Sequence, residues 1–274
     1  MAKDHTEMSF LDHLEVLRWT LIRSTLAVLL LSLIAFFMKG FIFNDIILLP
    51  KDPNFITYRF FCAVSKKFGA DGLCIDDIPF IVQSREMSGQ FSAHIWTSIT
   101  AGIIVGFPFI IYEVWKFIKP GLYEKEQKHA KSFIIVSSFL FFLGVLFGYY
   151  VITPLSVNFL GSYRVADEVK NNIDLASYIG VLRAAVLSSG LIFEMPIIIY
   201  FLTKLGLVTP EFLRSSRKYA LVLVLILAAV ITPPDIISQV IVAIPMMILY
   251  ESSILISRMI VKKERKQEQA LKKQ

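Results

Sequence analysis

The stretch YALVLVLILAAVITPPDIISQVIVAIPMMILYE, residues 219–251, holds two apolar runs parted by two adjacent prolines and an aspartate, and it contains no Lys or Arg. Proline lacks the backbone N–H and clashes with the preceding turn, so Pro233 and Pro234 end one helix. Asp235 is then placed to accept a hydrogen bond from the free N–H groups that open the next. The expected product is a helical hairpin with TPPD as its turn. Its first arm, 219–232, has roughly 14 residues and would rise only about 21 Å, short of the roughly 30 Å of hydrocarbon in a bilayer.

The rest of the chain has the same solvent preference. Hydrophobic residues make up 55% of 274 and charged residues only 18%, too apolar a balance for one soluble core, so an integral membrane protein is expected. Apolar runs long enough to cross a bilayer occur at 19–38, 91–112, 132–152 and 178–203, ahead of the two arms at 219–232 and 236–256. The net charge of +6 gathers beside these runs and in the tail KKERKQEQALKKQ, as cytoplasmic flanks do, and not in a patch shaped for nucleic acid. Residues 113–131 carry five lysines, 204–218 four basic residues and 258–274 seven, whereas 153–177 carries two and the TPPD turn none. Six spans with both termini cytoplasmic satisfy that alternation. The connection 39–90 is then extracytoplasmic; its six basic residues are matched by six acidic ones, and long loops escape the charge rule. The organisation expected is a single polytopic membrane domain, 1–274, with a long outer loop at 39–90 and a basic cytoplasmic tail at 257–274.

No small-residue cleavage site follows the acidic N-terminus, so the first run is expected to remain as an anchor. The only cysteines, Cys62 and Cys74, share the long outer connection. In an oxidising compartment a disulfide between them would stabilise that loop by about 3 kcal/mol. His5, His13, His94 and His129 are scattered and have no metal-ligand spacing. Ser188, Ser189 and Gly190 suit close helix packing better than nucleophilic chemistry, since no base lies at motif spacing. No phosphate-cradling Gly-rich loop is present. No cofactor, metal or catalytic residue is expected.

The segments FLDHLEVLR (10–18), YEVWKFIKPGLYEKE (112–126), FLGVLFGYYVITPL (142–155), GLIFEMP (190–196), ITPPDIISQ (231–239) and AIPMMILYE (243–251) run in order over nearly the whole chain. In that order and spacing the chain resembles the TatC family, the membrane subunit of the twin-arginine protein translocase. The resemblance implies an all-α fold of six transmembrane helices whose last two form a short hairpin, with a concave polar-lined face. It also implies a receptor for twin-arginine signal peptides that exports folded cargo across the bacterial cytoplasmic membrane on the proton-motive force. Its implied partners are single-span TatA/TatB-type subunits, membrane lipid and further copies of itself.

A signal marked by two adjacent arginines calls for carboxylates at the membrane surface, because guanidinium and carboxylate pair as a fork that lysine cannot copy. By resemblance Glu126 is the recognition carboxylate and Phe117 its aromatic companion, with Glu124 nearby. The amphipathic start supplies Glu15 and Arg18. Here the chain departs from the family pattern, which places the carboxylate where this sequence has Val16, about 100° around a helix from Glu15. Glu194 lies within an apolar run at a cost of about 2.5 to 3.5 kcal/mol, and so should face protein or water. The resemblance makes Glu194 and Gln239 a docking point for a partner helix, and Pro50, Tyr149, Pro233, Pro234 and Asp235 parts of the outer face. Two other readings compete: a proton-coupled transporter of a small solute with Glu194 as proton carrier, and an intramembrane hydrolase using the 188–190 run.

Overall fold

The structure, a computed structural model, describes residues 10–67, 74, 80–119, 130–169, 171–233 and 235–271. It is mostly helical. Its elements are α1 (Phe10–Phe37), α2 (Ile56–Lys67), β1 (Ile81–Gln83), α3 (Gly89–Ile118), α4 (Ala130–Phe147) and α5 (Thr153–Ser162). They continue as β2 (Asn172–Asp174), α6 (Leu175–Phe193), α7 (Met195–Lys204), α8 (Pro210–Ser215), α9 (Arg217–Ile231) and α10 (Ile236–Leu271). Among the described residues, five helical stretches are long and apolar enough to cross a membrane: His13–Phe37, Gly89–Ile118, Lys131–Ser162, Leu175–Lys204 and Ser238–Lys263. The first arm of the hairpin, α9, has 15 residues and a rise of about 22 Å. The second arm belongs to the 36-residue α10, which continues through Pro245 and far into the basic tail. The chain groups into two compact units, Met1–Lys39 with His94–Phe139, and Gly40–Ala93 with Leu140–Gln274.

In the first unit, α1 and α3 approach closely because Gly102 has no side chain. A Cβ there would fall 2.8 Å from both the backbone nitrogen of Ser32 and the carbonyl oxygen of Val28. The Ser32 hydroxyl donates back to the Val28 carbonyl at 2.7 Å, so it is satisfied inside an apolar helix. At the end of α1, Phe36 stacks on His94 at 3.9 Å while the His94 Nε2–H donates to the Phe36 carbonyl at 2.9 Å. Leu26, Leu29, Leu30, Leu33, Ile34 and Phe37 are all more than half exposed, so α1 keeps an extensive apolar surface outside the packing of the unit.

The second unit contains the connection that follows α1, whose described residues are folded and not a slack loop. Phe55, Tyr58, Phe80, Val157, Tyr178, Ile179 and Leu182 form a buried cluster there. Three tyrosine hydroxyls reach backbone carbonyls in the turns that follow α1: Tyr58 donates to Pro50 O at 2.9 Å, Tyr149 to Ile46 O at 2.8 Å and Tyr178 to Ile47 O at 2.8 Å. The Tyr58 hydroxyl also lies 3.0 Å from Pro154 O. Burial pushes the Tyr58 phenol well above its ordinary pKa, which keeps it a donor. β1 and β2 pair in parallel, Val82 opposite Ile173, a three-residue contact with no legible periodicity. A disulfide joins Cys62 to Cys74.

Deeper in the same unit, α4 packs on α6 through small residues. A Cβ on Gly144 would lie 2.5 Å from Ser189 O and 2.9 Å from the Gly190 Cα, and Gly190 in turn faces the Phe141 ring. Ser189 thus acts in packing, and its hydroxyl donates to Ala185 O. The run 178–203 is not one straight helix. It breaks at Glu194, where α6 ends and α7 begins, because Pro196 supplies no N–H. Across the TPPD turn, Asp235 Oδ2 accepts from the Ser238 backbone N–H at 2.8 Å and from its hydroxyl at 2.7 Å, capping α10. Pro233 is buried in that turn, and Pro234 lies outside the described residues.

Candidate functional site

The first unit carries an open cavity of about 330 Å³ between the start of α1 and the end of α3. Helical spacing builds it. Glu15, Val16, Trp19, Thr20 and Arg23 recur every three to four residues and so share one face of α1, and Glu113 and Lys116 share one face of the last turns of α3. The wall carries two carboxylates, two cations and one half-exposed indole.

Glu113 is the unusual group. It is only 1% exposed, yet both of its oxygens face cations: Oε1 accepts from Lys116 Nζ at 2.7 Å and Oε2 lies 3.5 Å from Arg23 Nη1. The Lys116 ammonium also sits 4.2 Å from the centre of the Tyr112 ring, a cation–π contact that fixes its position. A buried carboxylate is tolerable only when paired in this way. One residue past Lys116, Phe117 stacks on His13 at 4.3 Å, and Trp115 packs on Phe133 at 4.8 Å.

Of the residues expected from sequence, Glu15 lines the cavity, and so does Val16, the position at which the family pattern has its carboxylate. Phe117 is not in the wall; it stacks on His13 of α1, one residue past Lys116. Arg18 is exposed on another face, its Cζ 6.0 Å from the Trp19 ring centre, and is not part of the wall. Glu124 and Glu126 lie outside the described residues. Glu113 lies one residue past the apolar run 91–112, where the sequence reads as loop. The signal that could have found it is a pair of opposite charges at the ends of consecutive spans, Arg23 in the first and Glu113 beside the second, with Lys116 three residues further on.

A second set of expected residues belongs to the other unit. Glu194 is 7% exposed at the break between α6 and α7, where its own carbonyl accepts from the Ile197 and Ile198 N–H groups at 2.9 and 3.0 Å. Gln239 is engaged within the hairpin, its Nε2 donating to Leu225 O at 3.0 Å and so tying α10 to α9. The Pro50 carbonyl accepts from the Tyr58 hydroxyl, and the Tyr149 hydroxyl donates to the Ile46 carbonyl, so both residues help hold the connection that follows α1. No group of three or more His, Cys, Asp or Glu side chains among the described residues could hold a metal ion.

The site therefore offers carboxylates to a cationic ligand beside the ends of two apolar helices. The chain matches the family profile of the Sec-independent protein translocase protein (TatC) over residues 12–245. It is 41% identical over 230 residues to the Sec-independent protein translocase protein TatC of Blattabacterium sp. subsp. Periplaneta americana, covering 83% of this chain and 86% of that one. It is 35% identical over 223 residues to the TatC of Listeria innocua, covering 81% and 79%. A crystal structure described as the twin arginine translocase receptor TatC superimposes with a TM-score of 0.65 at 31% identity, over 90% of this chain and 98% of that one. With a profile spanning most of its length and relatives this similar, the chain belongs to the TatC family of Sec-independent protein translocase proteins.

Proposed function

We propose that this translocase subunit is the receptor for twin-arginine signal peptides and the platform on which its complex assembles to export folded proteins, drawing on the proton-motive force. On this reading it acts by binding and not by catalysis. It crosses the bacterial inner membrane six times with both termini cytoplasmic, so that the start of α1 and the end of α3 meet the signal on the side where cargo is made. The observation that carries the reading is the carboxylate-lined cavity at those helix ends, a site chemically suited to guanidinium groups. A solved relative is itself described as a twin arginine translocase receptor.

In this role Glu126, Glu124 and Glu15 supply negative charge to the signal, Phe117 an apolar companion surface, and Arg18 completes the signal-peptide-binding set at the start of α1. Glu194 and Gln239 form the intramembrane polar site for a single-span TatA/TatB-type partner. Further copies of the chain and membrane lipid complete the assembly. The test is photo-crosslinking from probes placed at Val16 and Phe117. A precursor with a twin-arginine signal should be captured and its twin-lysine counterpart should not. Capture of neither precursor, or of both equally, contradicts the proposal.

A further inference from the structure

We propose that Glu113 is a recognition carboxylate for one signal arginine, held before cargo arrives by the chain's own Arg23, which the incoming guanidinium displaces. The proposal rests on the receptor reading above and names a residue and a competitor within it.

The two cations on Glu113 are not equivalent. Lys116 is three residues away on the same helix, makes a 2.7 Å contact and is braced by Tyr112, so it stays with the carboxylate in any state. Arg23 comes from the other helix. It reaches Oε2 through a single nitrogen at 3.5 Å, and its side chain is 53% exposed. A guanidinium has five donors and pairs best with a carboxylate through two parallel bonds near 2.8 Å. The Arg23 contact uses one donor at the limit of a hydrogen bond, so most of the pairing capacity of Oε2 is unspent.

The surroundings favour exchange. The cavity of about 330 Å³ opens beside the carboxylate, so a second guanidinium has room to approach without unpacking a helix. The Trp19 indole in the wall is 46% exposed and offers a face on which a planar guanidinium can stack. Glu15 on α1 and Glu113 on α3 put one carboxylate on each side of the cavity, a pair of acceptors for a pair of arginines. Glu113 with Lys116 and Arg23 carries net positive charge, which disfavours cations until Arg23 swings out to solvent. Lysine, with one compact ammonium and no fork, gains less from the exchange. The arrangement therefore adds discrimination between arginine and lysine as well as affinity.

The test measures binding of twin-arginine and twin-lysine signal peptides to the full chain in nanodiscs, for wild type, Glu113→Gln, Arg23→Gln and the double variant. Glu113→Gln, which keeps the side-chain shape, should weaken twin-arginine binding about tenfold to a hundredfold and leave twin-lysine binding nearly unchanged. Arg23→Gln should strengthen twin-arginine binding, and that gain should vanish in the Glu113→Gln background. A merely structural ion pair predicts the opposite sign for Arg23→Gln, and this surface variant keeps the question answerable if Glu113→Gln folds poorly. Wild-type affinity and discrimination in Glu113→Gln, or weaker binding in Arg23→Gln, overturns the inference and leaves the receptor reading standing. A wild-type protein that does not distinguish the peptides removes both.

Discussion

The cavity end of the first unit and the outer cluster of the second use polar groups in opposite ways. Around the cavity, charged side chains face one another across open volume, through contacts that range from a tight 2.7 Å to a loose 3.5 Å. In the outer cluster, hydroxyls of Tyr58, Tyr149 and Tyr178 are spent on backbone carbonyls and a disulfide closes α2 onto Cys74. Loose charge pairs can be exchanged for a ligand, whereas buried tyrosine-to-carbonyl bonds cannot be given up without cost. The first region is built to change partners and the second to hold still. Binding and stability should therefore respond to different substitutions.

The sharpest way to break that division is through the helix packing of the second unit. Gly144→Leu places atoms where the backbone of Ser189 and Gly190 already lies, and backbone cannot rotate aside. We expect a loss of about 3 kcal/mol or more, seen as a fall in the thermal unfolding midpoint in detergent. Replacing both Cys62 and Cys74 with Ser should cost about 3 kcal/mol of local stability in the outer connection, detected as faster proteolysis within 51–90, with signal-peptide affinity unchanged. Tyr58→Phe leaves the Pro50 and Pro154 carbonyls without their shared donor and should cost about 1 to 3 kcal/mol by the same thermal assay, again with binding intact. Asp235→Ala removes the cap of α10 and should cost about 1 kcal/mol. A change in peptide affinity from any of the three outer substitutions would erase the distinction between the two regions.

The division also shows what a linear sequence carries. The apolar runs and the TPPD turn with Asp235 depend on residues within a turn or two of each other, and they are visible in the sequence for that reason, whereas the break at Glu194 is met only in the structure. The outer connection is not. Tyr149 finds its carbonyl 103 residues away and Tyr178 finds its partner 131 residues away, and such pairs leave no local period. The three-residue pairing of β1 with β2 is equally silent. In the site, Glu15 is legible from its place at the start of an amphipathic helix. Glu113 is not, because its meaning comes from Arg23, 90 residues earlier in the chain.

If the carboxylate-lined end of the first unit reads arginine in a signal peptide, replacing the arginines with lysines must weaken binding. The measurement is equilibrium binding of a twin-arginine peptide and its twin-lysine counterpart to the full chain in nanodiscs, at one fixed salt concentration. The twin-arginine peptide should bind at least about tenfold more tightly, the difference of roughly one forked charge-assisted pair. Equal affinity for the two peptides would contradict it.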